Sequence, residues 1–357
     1  MTKPILAATL SCQSTKLTEQ EKVIFSKTNP VGVTLFARNI ETPSQTKELI
    51  KEIKETIGRE NILIALDQEG GRVRRLKEPY FRSYASASQL GSLPISDTTK
   101  AITLHSELIA FDMHQLGFNV NFAPVLDIAY PKTSEALKSR CFSNDITKII
   151  SFGQTMITTY LSCGILPCIK HLPGHGLATT DPHLNLPIID IPKFQIEEQL
   201  EPFKQCNKAP LGMTAHILLP SIDNINPLTQ SPLGIQKLIR ESANFDGFLI
   251  SDAIDMKALQ GSVSQKAQKS INAGCDCVCY CMGNIEELEE LAQYCPKLSD
   301  VSKERLDKAV KFLHNKHNFD DIEHKANEYS NLIGKTTAYN ESYDATEVLH
   351  KLQEGKV

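Results

Sequence analysis

The chain has 357 residues, 41% hydrophobic and 22% charged, an ordinary globular balance that excludes wholesale disorder and collagen-like repeats. Lys+Arg 38 against Asp+Glu 42 leaves a net charge of −4, so no basic excess points to nucleic acid or to an anionic membrane as partner. No apolar run reaches the ~18 residues that a spanning helix needs. The apolar stretch 5–10 is shorter than the ~7–15 residues of an export signal, and Pro4 opens it. Ten cysteines in a chain this long suit a reducing compartment, and we expect a cytoplasmic protein.

Short apolar runs alternate with longer helical stretches. The runs are 5–12, 31–36, 62–66, 118–126, 165–169, 211–214, 248–250 and 275–281. They are nearly continuous rather than alternating, as strands buried on both faces are. Between them, Thr42-Pro43 reads as a cap followed by a first-turn proline, with Leu49, Ile53 and Ile57 on one face. Leu104, Leu108 and Phe111 share a face of a helix that stops at Gly117, Ser231-Pro232 opens another, and Gly164 and Gly274 each close one before a strand. Eight strands alternating with helices predict an α/β fold, a (β/α)8 TIM-type barrel. An open doubly wound sheet is the rival, but it usually carries a Gly-rich phosphate turn after its first strand, and none is present. Leu306, Val310 and Leu313 belong to closing helices. The polar, weakly periodic stretch from Asn318 reads as a C-terminal helical tail, packed on the barrel's outside or partly disordered, giving a single barrel domain 1–317 and a tail 318–357.

The run 275–281 places Cys275, Cys277, Cys279 and Cys281 two residues apart. On a strand, i and i+2 step ~6.6 Å, so the four span about 20 Å, too far for one tetrahedral ion. They are expected to be buried strand residues.

In such a barrel the chemistry sits at the C-terminal ends of the strands. Those ends are polar here: LDQEGGR (66–72), Asp127, KHLPGHG (170–176) with Asp181 and His183 beyond it, Thr214-Ala215-His216, and Ser251-Asp252. Asp252 follows an apolar strand directly, where a carboxylate can serve as nucleophile against a sugar carbon. Asp181 and His183 form Asp-x-His, in which a carboxylate orients an imidazole and raises its basicity. Lys170, Arg75 and Arg140 supply donors for hydroxyls or a carboxylate. Asp127 is placed to line the pocket or support a basic residue. Glu69 reads as part of an Glu-Gly-Gly turn holding Arg72, Asp255 as a cap, and His175 and His216 as braces.

These residues resemble a known family. KHLPGHG with Asp181-Pro182-His183 is similar to the KHxPGHG…DxH signature of family 3 glycoside hydrolases, in their single-domain β-N-acetylglucosaminidase branch. LDQEGGRVRR (66–75), SRCF (139–142) and FLISDAIDM (248–256) resemble that family's other motifs, in order, from about Ile5 to His314. The resemblance implies a retaining enzyme with Asp252 as nucleophile and His183 as acid/base paired with Asp181. It implies that Asp67, Arg75, Arg140, Lys170 and His171 hold N-acetylglucosamine, with Met256 lining the pocket. It further implies cytoplasmic recycling of cell-wall fragments, the sugar being removed from an anhydro-muropeptide. We expect no cofactor, no metal, and a monomer or weak dimer. Leu172, Leu177-Ala178 and Pro182 depart from the frequent Phe, Asp-Thr and Ser; the proline bears on how far its loop swings.

Three alternatives stay open on the residues. A retaining phosphorylase would resolve the ester with phosphate, which a histidine acid/base does not repel. A metal-dependent hydrolase would collect an ion among His171, His175, Asp181, His183 and His216, although the spacing lacks HExxH. A sugar-binding barrel without catalysis would lack the nucleophile or the acid/base, and both are present.

Overall fold

The computed structural model describes residues 3–180, 182, 185–315 and 318–334. Eight parallel strands close into a barrel in chain order: β1 Leu6–Leu10, β2 Pro30–Thr34, β3 Leu63–Leu66, β4 Val120–Asn121, β5 Leu166–Leu172, β6 Leu211–Thr214, β7 Phe248–Ala253 and β8 Cys277–Cys279. The ring is shut by β8 against β1, Ala8 opposite Val278. Each predicted run carries a strand. β4 is much shorter than its run because Pro124 has no N–H to offer the ladder; its carbonyl accepts from the Lys170 amide instead. β5 and β7 each run three residues further than their apolar runs, to Leu172 and Ala253.

Helices form the outer ring. Thr42 caps Pro43–Ile57 by accepting from the Gln45 amide, with Pro43 in the first turn, and Gly117 and Gly274 end their helices in the left-handed conformation. The helix Ile95–Leu116 is covered on its outer side by the helix Ile322–Ile333 of the C-terminal stretch. Ile322, Ala326, Tyr329 and Ile333 recur at spacings of four and three and pack into the outer core.

The register sorts side chains by alternation. Leu63, Ala65, Leu166, Cys168, Phe248, Ile250, Cys277 and Cys279 fill the barrel interior, whereas Ile64, Leu66, Ile169, Leu249 and Val278 face the helices. Leu306, Ala309 and Val310 of the helix Asp300–Val310 join the interior cluster, and Arg305 bonds Asp246 just before β7, so this helix closes the N-terminal end. The C-terminal end stays open. Among the described residues no helix is long and apolar enough to cross a membrane.

Candidate active site

The inward alternation continues past the apolar layers. After Leu63 and Ala65 comes Asp67; after Leu166 and Cys168, Lys170; after Phe248 and Ile250, Asp252. All three charged groups therefore line one pocket at the open end, over a floor that includes Met213 and Cys279.

Lys170 is 2% exposed and donates to Asp67 Oδ1 at 2.9 Å; its Nζ also lies 2.6 Å from Glu69 Oε1. Arg75 donates to Asp67 Oδ2 at 3.2 Å. Burial alone would raise the Asp67 pKa, but Lys170 and Arg75 hold it well below the usual carboxylate range. Glu69 accepts a two-pronged clamp from Arg140, Nε to Oε2 at 2.9 Å and Nη2 to Oε1 at 2.8 Å. Its pKa is likewise lowered: burial opposes this, and Arg140 and Lys170 outweigh burial.

His171 is fixed from both sides. Its Nδ1 lies 2.7 Å from Asp127 Oδ2, and Arg140 Nη2 lies 3.3 Å from its Nε2. A guanidinium only donates, so Nε2 accepts and the proton sits on Nδ1, donated to Asp127. Asp127 also accepts from the His175 amide at 2.6 Å, so this buried carboxylate supports the imidazole and pins the loop. His175 itself is buried, and burial pushes its pKa down to about 4. Its Nε2 has no partner among the described residues. In the same loop, a Cβ on Gly176 would stand 2.1 Å from the Ile128 carbonyl, so only glycine allows this close approach. His216 lies away from this cluster, with Nδ1 2.8 Å from Thr229 Oγ1 and Nε2 donating to the Ala253 carbonyl at 3.0 Å; it braces the end of β7.

Asp252 lies inside β7 rather than after it, and its Oδ1 accepts from the Ala253 amide at 2.8 Å. Met256 is buried and lines the pocket, as do Asp67, Arg75, Arg140, Lys170 and His171. Asp255 lines it as well; it accepts from the Cys281 amide at 2.8 Å, and burial raises its pKa to about 6. Asp181 and His183 lie outside the described residues; Pro182, between them in sequence, lines the pocket.

Three features differ from the sequence reading. Glu69 belongs to the pocket's ion pairs, and Arg72 instead donates to the Glu135 carbonyl. Gln68 Oε1 accepts from the Arg75 and Leu76 amides, and the Gln68 backbone N–H donates to Asn121 Oδ1, which fixes the arginine-bearing turn. Two of the four cysteines meet, Cys279 Sγ and Cys281 Sγ lying 3.6 Å apart. β8 ends at Cys279, so regular strand spacing no longer separates them. The neighbouring sulfur and burial push the Cys281 thiol well above its ordinary range, which makes it an inert part of the floor. Among the described residues no three His, Cys, Asp or Glu side chains gather as metal ligands.

A pocket at the strand C-termini of a TIM-type barrel, lined by carboxylates, lysine and arginines, has the donors and acceptors that a polyol ligand needs. The Glycosyl hydrolase family 3 N terminal domain matches residues 7–315. A β-hexosaminidase of Haemophilus ducreyi (strain 35000HP / ATCC 700724) is 32% identical over 303 residues, 81% of this chain and 86% of that protein. A β-hexosaminidase of Glaesserella parasuis serovar 5 (strain SH0165) is 30% identical over 301 residues, 81% of this chain and 85% of that protein. The crystal structure of NagZ from Neisseria gonorrhoeae in complex with N-trifluoroacetyl-D-glucosamine superposes with a TM-score of 0.82 at 25% identity, covering 93% of this chain and 98% of that one. The chain belongs to glycosyl hydrolase family 3 and, within it, to the β-hexosaminidases. It is a glycoside hydrolase with a NagZ-like (β/α)8 barrel.

Proposed function

We propose that this glycoside hydrolase is a retaining exo-β-N-acetylglucosaminidase. The observation that carries the reading is the position of Asp252, at the inward mouth position of β7, in one pocket with the Asp67–Lys170–Arg75 and Glu69–Arg140 pairs. Those pairs, with His171, present donors and acceptors to the hydroxyls and acetamido group of one terminal sugar, and Met256 lies against it. The β-hexosaminidase names of the relatives and the N-acyl glucosamine bound by the gonococcal protein support the same sugar.

In the proposed reaction Asp252 attacks the anomeric carbon, forming a C1–carboxylate ester as the glycosidic C1–O bond breaks through an oxocarbenium-like transition state. His183, oriented by Asp181, gives its proton to the departing oxygen. Water then attacks C1 and gives its proton to His183, and the ester bond to Asp252 breaks, restoring the free carboxylate with net retention. Asp181 favours the imidazolium and so assists the first proton transfer. The natural substrate we propose is an N-acetylglucosamine-bearing cell-wall fragment, processed in the cytoplasm. Ten free, buried cysteines support a reducing compartment.

The test is p-nitrophenol release from the β-N-acetylglucosaminide and the β-glucoside, with product configuration followed by NMR. Release from the acetamido sugar alone, giving the β-anomer first in phosphate-free buffer, supports the reading. Phosphate-dependent formation of sugar-1-phosphate would replace hydrolysis with phosphorolysis. First-formed α-anomer would remove the ester intermediate.

A further inference from the structure

The helix Ile322–Ile333 lies past residue 315, where the family match ends, yet one of its side chains bonds to the turn that carries Glu69. Tyr329 is 3% exposed. Its hydroxyl oxygen accepts from the Ala85 amide at 2.9 Å and lies 2.9 Å from His105 Nδ1. His105, fully buried, places Nε2 3.2 Å from the backbone carbonyl of Glu69.

The protons in this chain of bonds have one consistent arrangement. A carbonyl only accepts, so His105 Nε2 carries a hydrogen and donates it to Glu69. Nδ1 is then the acceptor, and the Tyr329 hydroxyl donates to it. Tyr329 and His105 also stand ring against ring, with centroids 5.8 Å apart, and Tyr84 meets His105 edge-on at 5.5 Å.

Contact with the turn is close. Gly70 and Gly71 both have positive φ, and a Cβ on Gly70 would stand 2.2 Å from the Ala85 carbonyl and 3.0 Å from His105 Cε1. The two bonds from Tyr329 thus hold both walls of the turn: Ala85 on one side and, through His105, Glu69 on the other. Glu69 is the residue whose carboxylate carries Arg140 and Lys170.

We propose that Tyr329 is a positioning residue for the sugar pocket, acting through His105 on Glu69 and thence on Arg140 and Lys170. The C-terminal helix is then a working part of the site and not only a cover for the barrel. The proposal rests on reading this pocket as the sugar site.

The experiment compares full-length wild type, Tyr329→Phe and Ile333→Ala, well below their melting temperatures. Two quantities are read: KM and kcat for p-nitrophenyl β-N-acetylglucosaminide, and the hydrogen-exchange rate of the Arg140 Nε–H by 15N NMR. Tyr329→Phe should raise KM about fivefold, with kcat nearly unchanged, and should speed the Arg140 exchange. Ile333→Ala, which removes packing but no hydrogen bond, should lower Tm and leave both readouts alone. A Tyr329→Phe protein that only melts earlier, with KM or Arg140 exchange as in wild type, overturns the proposal. His105→Gln, which breaks the middle link, gives the same two readouts if Tyr329→Phe does not fold. If wild type leaves the acetamido sugar untouched, the proposed substrate falls, and the Arg140 exchange still decides the positioning role.

Discussion

On its inward side β7 carries Phe248 and Ile250 in the closed half of the barrel and Asp252 at the mouth; β5 carries Leu166 and Cys168, then Lys170. One register serves both regions. In the closed half, alternation buries apolar volume between eight strands and the helix Asp300–Val310, where the energetics are those of dispersion and excluded water. At the mouth the same alternation aims charges at each other. There the energetics are those of desolvated ion pairs, which add little net stability but are costly to break singly. The comparison teaches that the strands do not stop where the chemistry starts, and that stability and activity separate by depth along one strand.

Substitutions at different depths should therefore break different properties. Asp252→Ala should cut kcat on the order of 10⁴-fold or more while Tm changes little, measured by p-nitrophenol release and calorimetry. His183→Ala should cost less with this good leaving group and ~10²–10⁴-fold with an alkyl glycoside. Near wild-type turnover in Asp252→Ala would remove it as nucleophile.

Two positions deeper, Phe248→Ala should lower stability by about 3–5 kcal/mol in urea unfolding. The kcat of the molecules that remain folded should be unchanged. A loss of kcat comparable to that of Asp252→Ala would show the two regions to be coupled.

Glu69→Gln tests the boundary between them. It leaves Arg140 and Lys170 without their shared carboxylate, so both stability and KM should suffer, stability by up to ~3–5 kcal/mol. Kinetics and unfolding on the same preparation would show whether both move together.

The most gradual effect expected is the pH dependence. His175 and His105 have folded pKa values of about 4, pushed down mainly by burial, against ~6.5 when unfolded. Between those values the unfolded chain binds more protons, so stability should fall as pH drops from ~6.5 towards ~4. Asp67 and Glu69, both depressed, add stabilisation that is present above ~4 and lost as pH falls through their folded values. Urea titrations across this range should show the slope, and His175→Gln should flatten its upper part.

Much of the barrel is visible in the amino-acid order because each strand is a short apolar run closed by a polar residue. Thr42-Pro43, Gly117 and Gly274 mark helix ends by local chemistry alone. Strand ends are harder to place. Lys170 and Asp252 are polar and read as lying just past their apolar runs, yet they sit within the strands because their backbones continue the strand while their side chains face the barrel interior. Asp67, Arg75, Arg140, Lys170, His171 and Met256 line one pocket because successive strand ends converge there. Glu69 escapes sequence reading because its partner Arg140 lies 71 residues away. Tyr329 does so because His105 lies 224 residues away. Gln68 and Asn121 act on backbone groups, which leave no pattern in composition.

The cations of the pocket have a bearing on which sugars are refused. Lys170, Arg75 and Arg140 are each already closed onto Asp67 or Glu69, with Asp252 alongside. On the proposed reading, a uronic acid or a sialic acid would find Lys170, Arg75 and Arg140 already paired; to bind them it would have to evict a resident carboxylate and then sit beside it. An uncharged ring, offering hydroxyls to groups that keep their ionic partners, meets no such penalty. On that reading, the arrangement of internal ion pairs would act as a filter on ligand charge.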